Sequence, residues 1–110
     1  MEVVESIDQK FKAVEFQFIR RFKKKPSLEA ILLMIGFQES PESKQTRDKE
    51  EKLDLINLGV LIVLEKLGYF QKIVSDSNWP AFEPTDKRSE ENKELIIKQG
   101  IVEYFKDYTW

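Results

Sequence analysis

The chain contains no cysteine and no histidine. Without cysteine there are no disulfides, no thiolate metal sites and no thiol nucleophile. Without histidine the commonest metal ligand and the commonest general base near neutral pH are missing too, so any catalysis would have to run on carboxylates, lysines or tyrosines. Glycine is scarce, and the four present, Gly36, Gly59, Gly68 and Gly100, stand apart from one another, which excludes a glycine-rich phosphate cradle. Long apolar runs are also lacking. The most apolar stretch, LINLGVLIVL from Leu55 to Leu64, is ten residues bracketed by Asp54 and Glu65. That is about half a membrane span, and it reads as a helix buried inside the protein. The N-terminal MEVVESIDQK carries acids where a secretory leader carries bases, so the expected address is cytoplasmic, with no membrane partner.

What remains is enough to build a core. The chain is 110 residues long, the size of one domain. Hydrophobic residues make up 41% against 35% charged, a globular rather than a disordered balance. Eight Phe, three Tyr and two Trp supply much of the apolar surface, each worth roughly 1.5–3 kcal/mol when fully buried.

The apolar spacing predicts four helices. Val4, Ile7, Phe11, Val14, Phe18 and Phe22 recur at steps of three and four, an amphipathic helix over 3–23. Pro26 cannot continue it, and Ser27 is placed to cap a second helix from Leu28 to Gln38, LEAILLMIGFQ, apolar on nearly every side. ESPESKQTR follows as a surface loop. Asp48 and Glu51 have the spacing of a capping box for a third helix, which stops near Leu67 with Gly68 as its left-handed terminator. A last helix runs from Glu90 to Lys106 with Ser89 as its expected cap. Between the third and fourth helices, residues 69–83 are β-prone around a turn-forming SDSN, which suggests a short hairpin or extended segment with Pro80 on an edge strand. The expected fold is therefore mainly α, a single domain of four helices with this hairpin inserted.

The charges are unevenly placed. Arg20, Arg21, Lys23, Lys24 and Lys25 lie in six residues, and removing their five charges from the net −2 leaves −7 for the remainder. Such a run can grip phosphates, but cations also collect at a helix C-terminus to complement its dipole. With a pI near 5.3 the chain lacks the basic balance of nucleic-acid binders, so nucleic acid is the alternative partner rather than the leading one. Three helices followed by a hairpin is also the element order of winged-helix domains. The third helix here opens DKEEKLD, too acidic to read DNA. The carboxylate pairs Glu50/Glu51 and Glu90/Glu91 read as solvated helix starts, with no neighbouring nucleophile and no calcium-loop spacing. No catalytic, metal or cofactor site is therefore expected, and the chain reads as a non-enzyme. Lys52, Asp54 and Asn57 flank the apolar third helix as candidate polar groups, and Gly59 and Gly100 inside helices point to close helix packing.

The aromatic segment WPAF, with Tyr69 before it, is the candidate binding surface: Tyr69, Trp79 and Phe82 are its anchors, because Trp and Tyr dominate interface energetics. Phe82 is expected in the core, while Trp79 stands next to a polar turn and Trp110 at the chain end. The motifs GFQE (36–39), DKEEKLDL (48–55), GYF (68–70), WPAF (79–82) and IVEYF (101–105) together resemble a family of small, conserved hypothetical bacterial proteins. The resemblance implies a compact intracellular domain in which the Trp-Pro segment is a regular part of the fold, and it transfers no activity. The leading expectation is a protein-interaction or self-associating module that uses an aromatic surface around Tyr69 and Trp79.

Overall fold

The computed structural model describes residues 6–40, 49–74 and 79–108. Its elements follow the order α1 (Ile7–Phe22), α2 (Leu28–Glu39), α3 (Lys49–Lys66), β1 (Phe70–Ile73), β2 (Ala81–Pro84) and α4 (Lys93–Phe105), so the expected four helices with a hairpin between the third and fourth are present. The two strands pair antiparallel, Phe70 with Pro84, Gln71 with Glu83, Lys72 with Phe82 and Ile73 with Ala81. The SDSN turn, the Asp48 cap, Val4 and Trp110 lie outside the described residues.

Capping chemistry sets the helix boundaries, and it moves two of the expected ones. The first helix starts at Ile7, not at residue 3. Ser6 is extended, its Oγ accepts from the Gln9 amide at 3.2 Å, and Gln9 Oε1 accepts the Ser6 amide at 3.0 Å, a reciprocal capping box. α1 ends on Lys23, in the left-handed region at φ 60°, whose amide donates to the Ile19 carbonyl. Ser27 caps α2 as expected, its Oγ accepting from Ala30 at 3.0 Å. α4 begins at Lys93, three residues later than expected, because its cap is Asn92 and not Ser89: Asn92 Oδ1 accepts from Glu94 at 2.8 Å and Leu95 at 3.4 Å. The Ser89 hydroxyl instead accepts from the Glu91 amide at 3.1 Å, a local turn that competes with helix initiation. Glu90 and Glu91 thus precede the helix rather than start it, and Glu91 Oε2 accepts from Gln99 Nε2 at 3.1 Å.

The core gathers one face of each helix: Phe11, Val14 and Phe18 from α1, Ile31, Leu32 and Ile35 from α2, Leu58, Ile62 and Val63 from α3, Ile101 and Phe105 from α4. Phe18 meets Phe105 edge-on at 5.7 Å between ring centres, a geometry that adds to the burial itself.

α2 and α3 cross with a reciprocal contact. Each carries the pattern Leu-x-x-x-Gly, Leu32 with Gly36 and Leu55 with Gly59. A methyl at Gly36 would overlap the Leu55 carbonyl, and one at Gly59 the Leu32 carbonyl. The two backbones therefore touch at both points, with bare Cα atoms against carbonyl oxygens, and a third glycine, Gly100, brings α4 against Val63 in the same way. Gly68, at φ 89°, turns the chain out of α3 into β1.

Candidate functional site

The expected anchors do not share one environment. Phe82 is half-buried and packs against the core, as its sequence context implies. Tyr69 is half-buried beneath Lys87, whose Nζ lies 4.7 Å from the ring centre and donates to the Leu67 carbonyl at 2.5 Å, over the carbonyl end of α3. Trp79 is 38% exposed and borders a hollow of about 360 Å³ with Asp54, Asn57, Leu58 and Leu61 of α3. Asp54 and Asn57 thus converge with Trp79 at the tip of the hairpin, and Lys52 does not join them.

The basic run is divided by the turn it occupies. Arg20 and Arg21 are neighbours in the last turn of α1, about 100° apart around its axis. Lys23 is the left-handed residue that ends the helix, and Lys24 and Lys25 continue around the corner to line a groove with Pro26 and Ser27. Among the described residues none of the five forms an ion pair.

A polar cluster that the sequence did not signal joins the ends of α2 and α4. The Tyr104 hydroxyl lies 2.9 Å from Glu39 Oε1 and 3.0 Å from Gln38 Oε1, while Gln38 Nε2 donates to the Tyr108 hydroxyl at 2.9 Å. Burial, reinforced by the hydrogen bond to Glu39 and its charge, holds the Tyr104 phenol well above its ordinary range. Among the described residues no three acidic side chains come together as a metal site, and no helix is long and apolar enough to cross a membrane.

The hairpin supplies the feature with most consequence. The Thr85 amide donates to the Tyr69 carbonyl at 3.0 Å, which fixes the phase of the ladder, because only alternate pairs exchange bonds in an antiparallel sheet. With the observed register, the pairs Gln71/Glu83 and Ile73/Ala81 are bonded. Phe70/Pro84 and Lys72/Phe82 turn their backbone groups outward. Pro84, which has no amide hydrogen, sits where none is needed for the hairpin.

The two outer edges then differ. On the β2 side the outward positions over 80–84 are Pro80, Phe82 and Pro84, so two of the three offer no donor. On the β1 side Phe70 and Lys72 offer both donor and acceptor, and among the described residues neither makes a further backbone hydrogen bond. Gln71, Lys72 and Ile73 are exposed, as is Val74 at 98%. β1 is an open edge, and β2 one blunted by two prolines.

No protein-family model, curated protein or solved structure matches the chain.

Proposed function

We propose that the protein is a self-associating module in which two copies join their β1 edges into a four-stranded antiparallel sheet. The observation that carries this reading is the proline-free β1 edge, with the unbonded amides and carbonyls of Phe70 and Lys72 facing away from the hairpin. A two-stranded sheet is marginal by itself and gains from added strands, and closed two-fold pairing is the commonest way for a chain to meet its own copy.

Register selects the partner. A two-fold axis at Gln71 sets Phe70 of each copy opposite Lys72 of the other, and both are outward-facing residues, so each pair exchanges two backbone bonds and the edge gains four in all. The same axis places Tyr69 against Ile73 of the second copy, an aromatic to β-branched pair of the kind that stabilises sheets. Shifting the axis to Lys72 would bring two lysines face to face, which is unfavourable. Tyr69 thus belongs to the interface, while Trp79 and Phe82 hold the hairpin onto α3 and the core.

Light scattering from roughly 10 µM to 1 mM, covering association free energies of about −7 to −4 kcal/mol, tests the reading. The mass should rise towards twice 13.0 kDa. Lys72→Pro removes an outward amide hydrogen that the hairpin does not use, so it should leave helicity and melting temperature near wild type and abolish the rise, whereas Lys72→Ala should retain it. A wild-type chain that stays monomeric at 1 mM, or a Lys72→Pro variant that still doubles its mass, refutes the edge as the interface.

A further inference from the structure

A second surface, separate from the hairpin edge, lies at the corner between α1 and α2. Phe18, Phe22, Pro26, Ala30 and Met34 form an apolar trough of about 560 Å³, and Lys24, Lys25 and Ser27 stand at its margin. The chain builds it from three local devices. Lys23 in the left-handed region ends α1, Pro26 prevents its continuation, and Ser27 restarts the helix as the cap of α2. Phe22, beyond the last buried turn of α1, is left 54% exposed over the trough.

The volume falls in the range of small-molecule sites, which are mostly apolar with a few placed polar groups. The polar groups here have one sign. Neither Lys24 nor Lys25 has an ion-pair partner among the described residues. The first-turn amides of α2 at Leu28 and Glu29 have no intrahelical acceptor, and the dipole end they form is positive. Glu29 is an acid in that turn, but it is about 100° around the helix from Ala30, off the trough side.

We infer that this groove binds a monomeric, single-chain amphiphile with an anionic headgroup, its hydrocarbon chain along Phe22, Ala30 and Met34 and its headgroup between Lys24, Lys25 and the start of α2. The charge pattern selects this occupant. A neutral chain would leave the cations unanswered, and a cationic head would be repelled. A bare inorganic anion would leave the apolar floor uncovered, where contact with a hydrocarbon chain removes surface from water.

Titration of the isotope-labelled full chain with decanoate, below its micelle concentration and followed by amide chemical shifts, tests the proposal. Decanol and decyltrimethylammonium serve as matched probes, and anionic vesicles as the bilayer form of the same headgroup. Saturable decanoate shifts confined to residues 22–34, with decanol at least tenfold weaker and the ammonium absent, are expected. The double change Lys24→Glu, Lys25→Glu should weaken decanoate at least tenfold and leave decanol unaltered, and Ala30→Trp, made at an exposed position, should fill the trough and abolish both. Equal affinity for decanol, shifts centred elsewhere, or no saturation by 1 mM overturns the inference. So does binding only to vesicles, which would make the corner a bilayer contact, and so do ligand-free shifts of these residues that depend on protein concentration, which would make it a seat for a second copy.

Discussion

Alanine at Gly59 offers a test of the helix crossing in which the sign of the effect is informative. In an unconstrained helix interior, Gly→Ala stabilises by about 1 kcal/mol through backbone entropy. At Gly59 the added methyl would overlap the Leu32 carbonyl oxygen, with the carbonyl carbon at 2.9 Å and Cα at 3.2 Å. All three atoms are backbone, so no change of rotamer relieves the overlap, and α2 must move away from α3. Overpacking of this kind costs about 1–3 kcal/mol and sometimes more. The displacement also loosens Leu32, Leu58 and Ile62 of the shared core, which adds the cost of incomplete packing. After the propensity gain is subtracted, a net loss of about 2 kcal/mol is expected, or roughly 8–16 °C in melting temperature for a domain of this size.

The reciprocal geometry sharpens the test. Gly36 meets Leu55 as Gly59 meets Leu32, so one separation of the helices relieves both overlaps. Gly36→Ala should cost about as much as Gly59→Ala, and the double variant clearly less than the two together, a coupling of the sort neighbouring sites show. Urea unfolding of the four proteins measures all of this. If Gly59→Ala proves more stable than wild type, or if the two substitutions add, the backbones do not meet at these points and the account of the core is wrong.

Two further outcomes follow from local chemistry. Asn92→Ala should destabilise by about 1 kcal/mol, since it removes the acceptor for two first-turn amides of α4, while Ser89→Ala should change stability by only a few tenths; equal effects would mean that the helix starts where the sequence alone suggested. Tyr104, whose phenol is held above its ordinary value of 10.0 in the folded chain, releases its proton more readily when unfolded. Its contribution to stability is therefore complete below pH 10 and is lost as the pH rises towards the folded value. Between about pH 10 and 12 the wild type should lose stability more steeply than Tyr104→Phe, and parallel curves would show that the phenol is neither buried nor bonded to Glu39 as described.

Much of the helical frame could be read because its signals are local. Ser27 after Pro26, the periodic apolar residues of α1 and the β-prone segment after Gly68 each specify a boundary within a few residues. The misplaced starts arose where several capping residues compete within one stretch. Ser6 with Gln9 is a capping box that the longer periodic run obscured, and Ser89, Asn92 and two glutamates sit within four positions of each other, so geometry decided among them. Phe82, expected in the core, is half-buried and packs against it, whereas Tyr69 and Trp79 took different environments because the hairpin separates them by its full length. The trough at the α1/α2 corner was not legible, since it joins Phe18 to Met34 across a turn whose angle depends on a left-handed Lys23. Nor was the open edge, which depends on the phase of the ladder and hence on a single bond from Thr85 to Tyr69.

That phase also determines what sort of assembly the edge can build. A hairpin open on both sides would add copies indefinitely, β1 of one to β2 of the next, and a heterologous contact of that kind grows into a filament. Here Pro80 and Pro84 remove two of the three outward donors of β2 and leave only that of Phe82, which disfavours addition at that side; in the proposed assembly β1 therefore meets another β1. Such a contact uses the same residues on both copies and is complete after one step. The prolines leave the hairpin's own bonds intact because they fall on outward-facing positions of the ladder, and under the proposed self-association that placement would restrict growth to a pair. Replacing Pro84 with threonine would restore one outward donor, and sedimentation should then reveal species larger than the dimer; a variant that still stops at two copies would show that something other than the missing amide closes that edge.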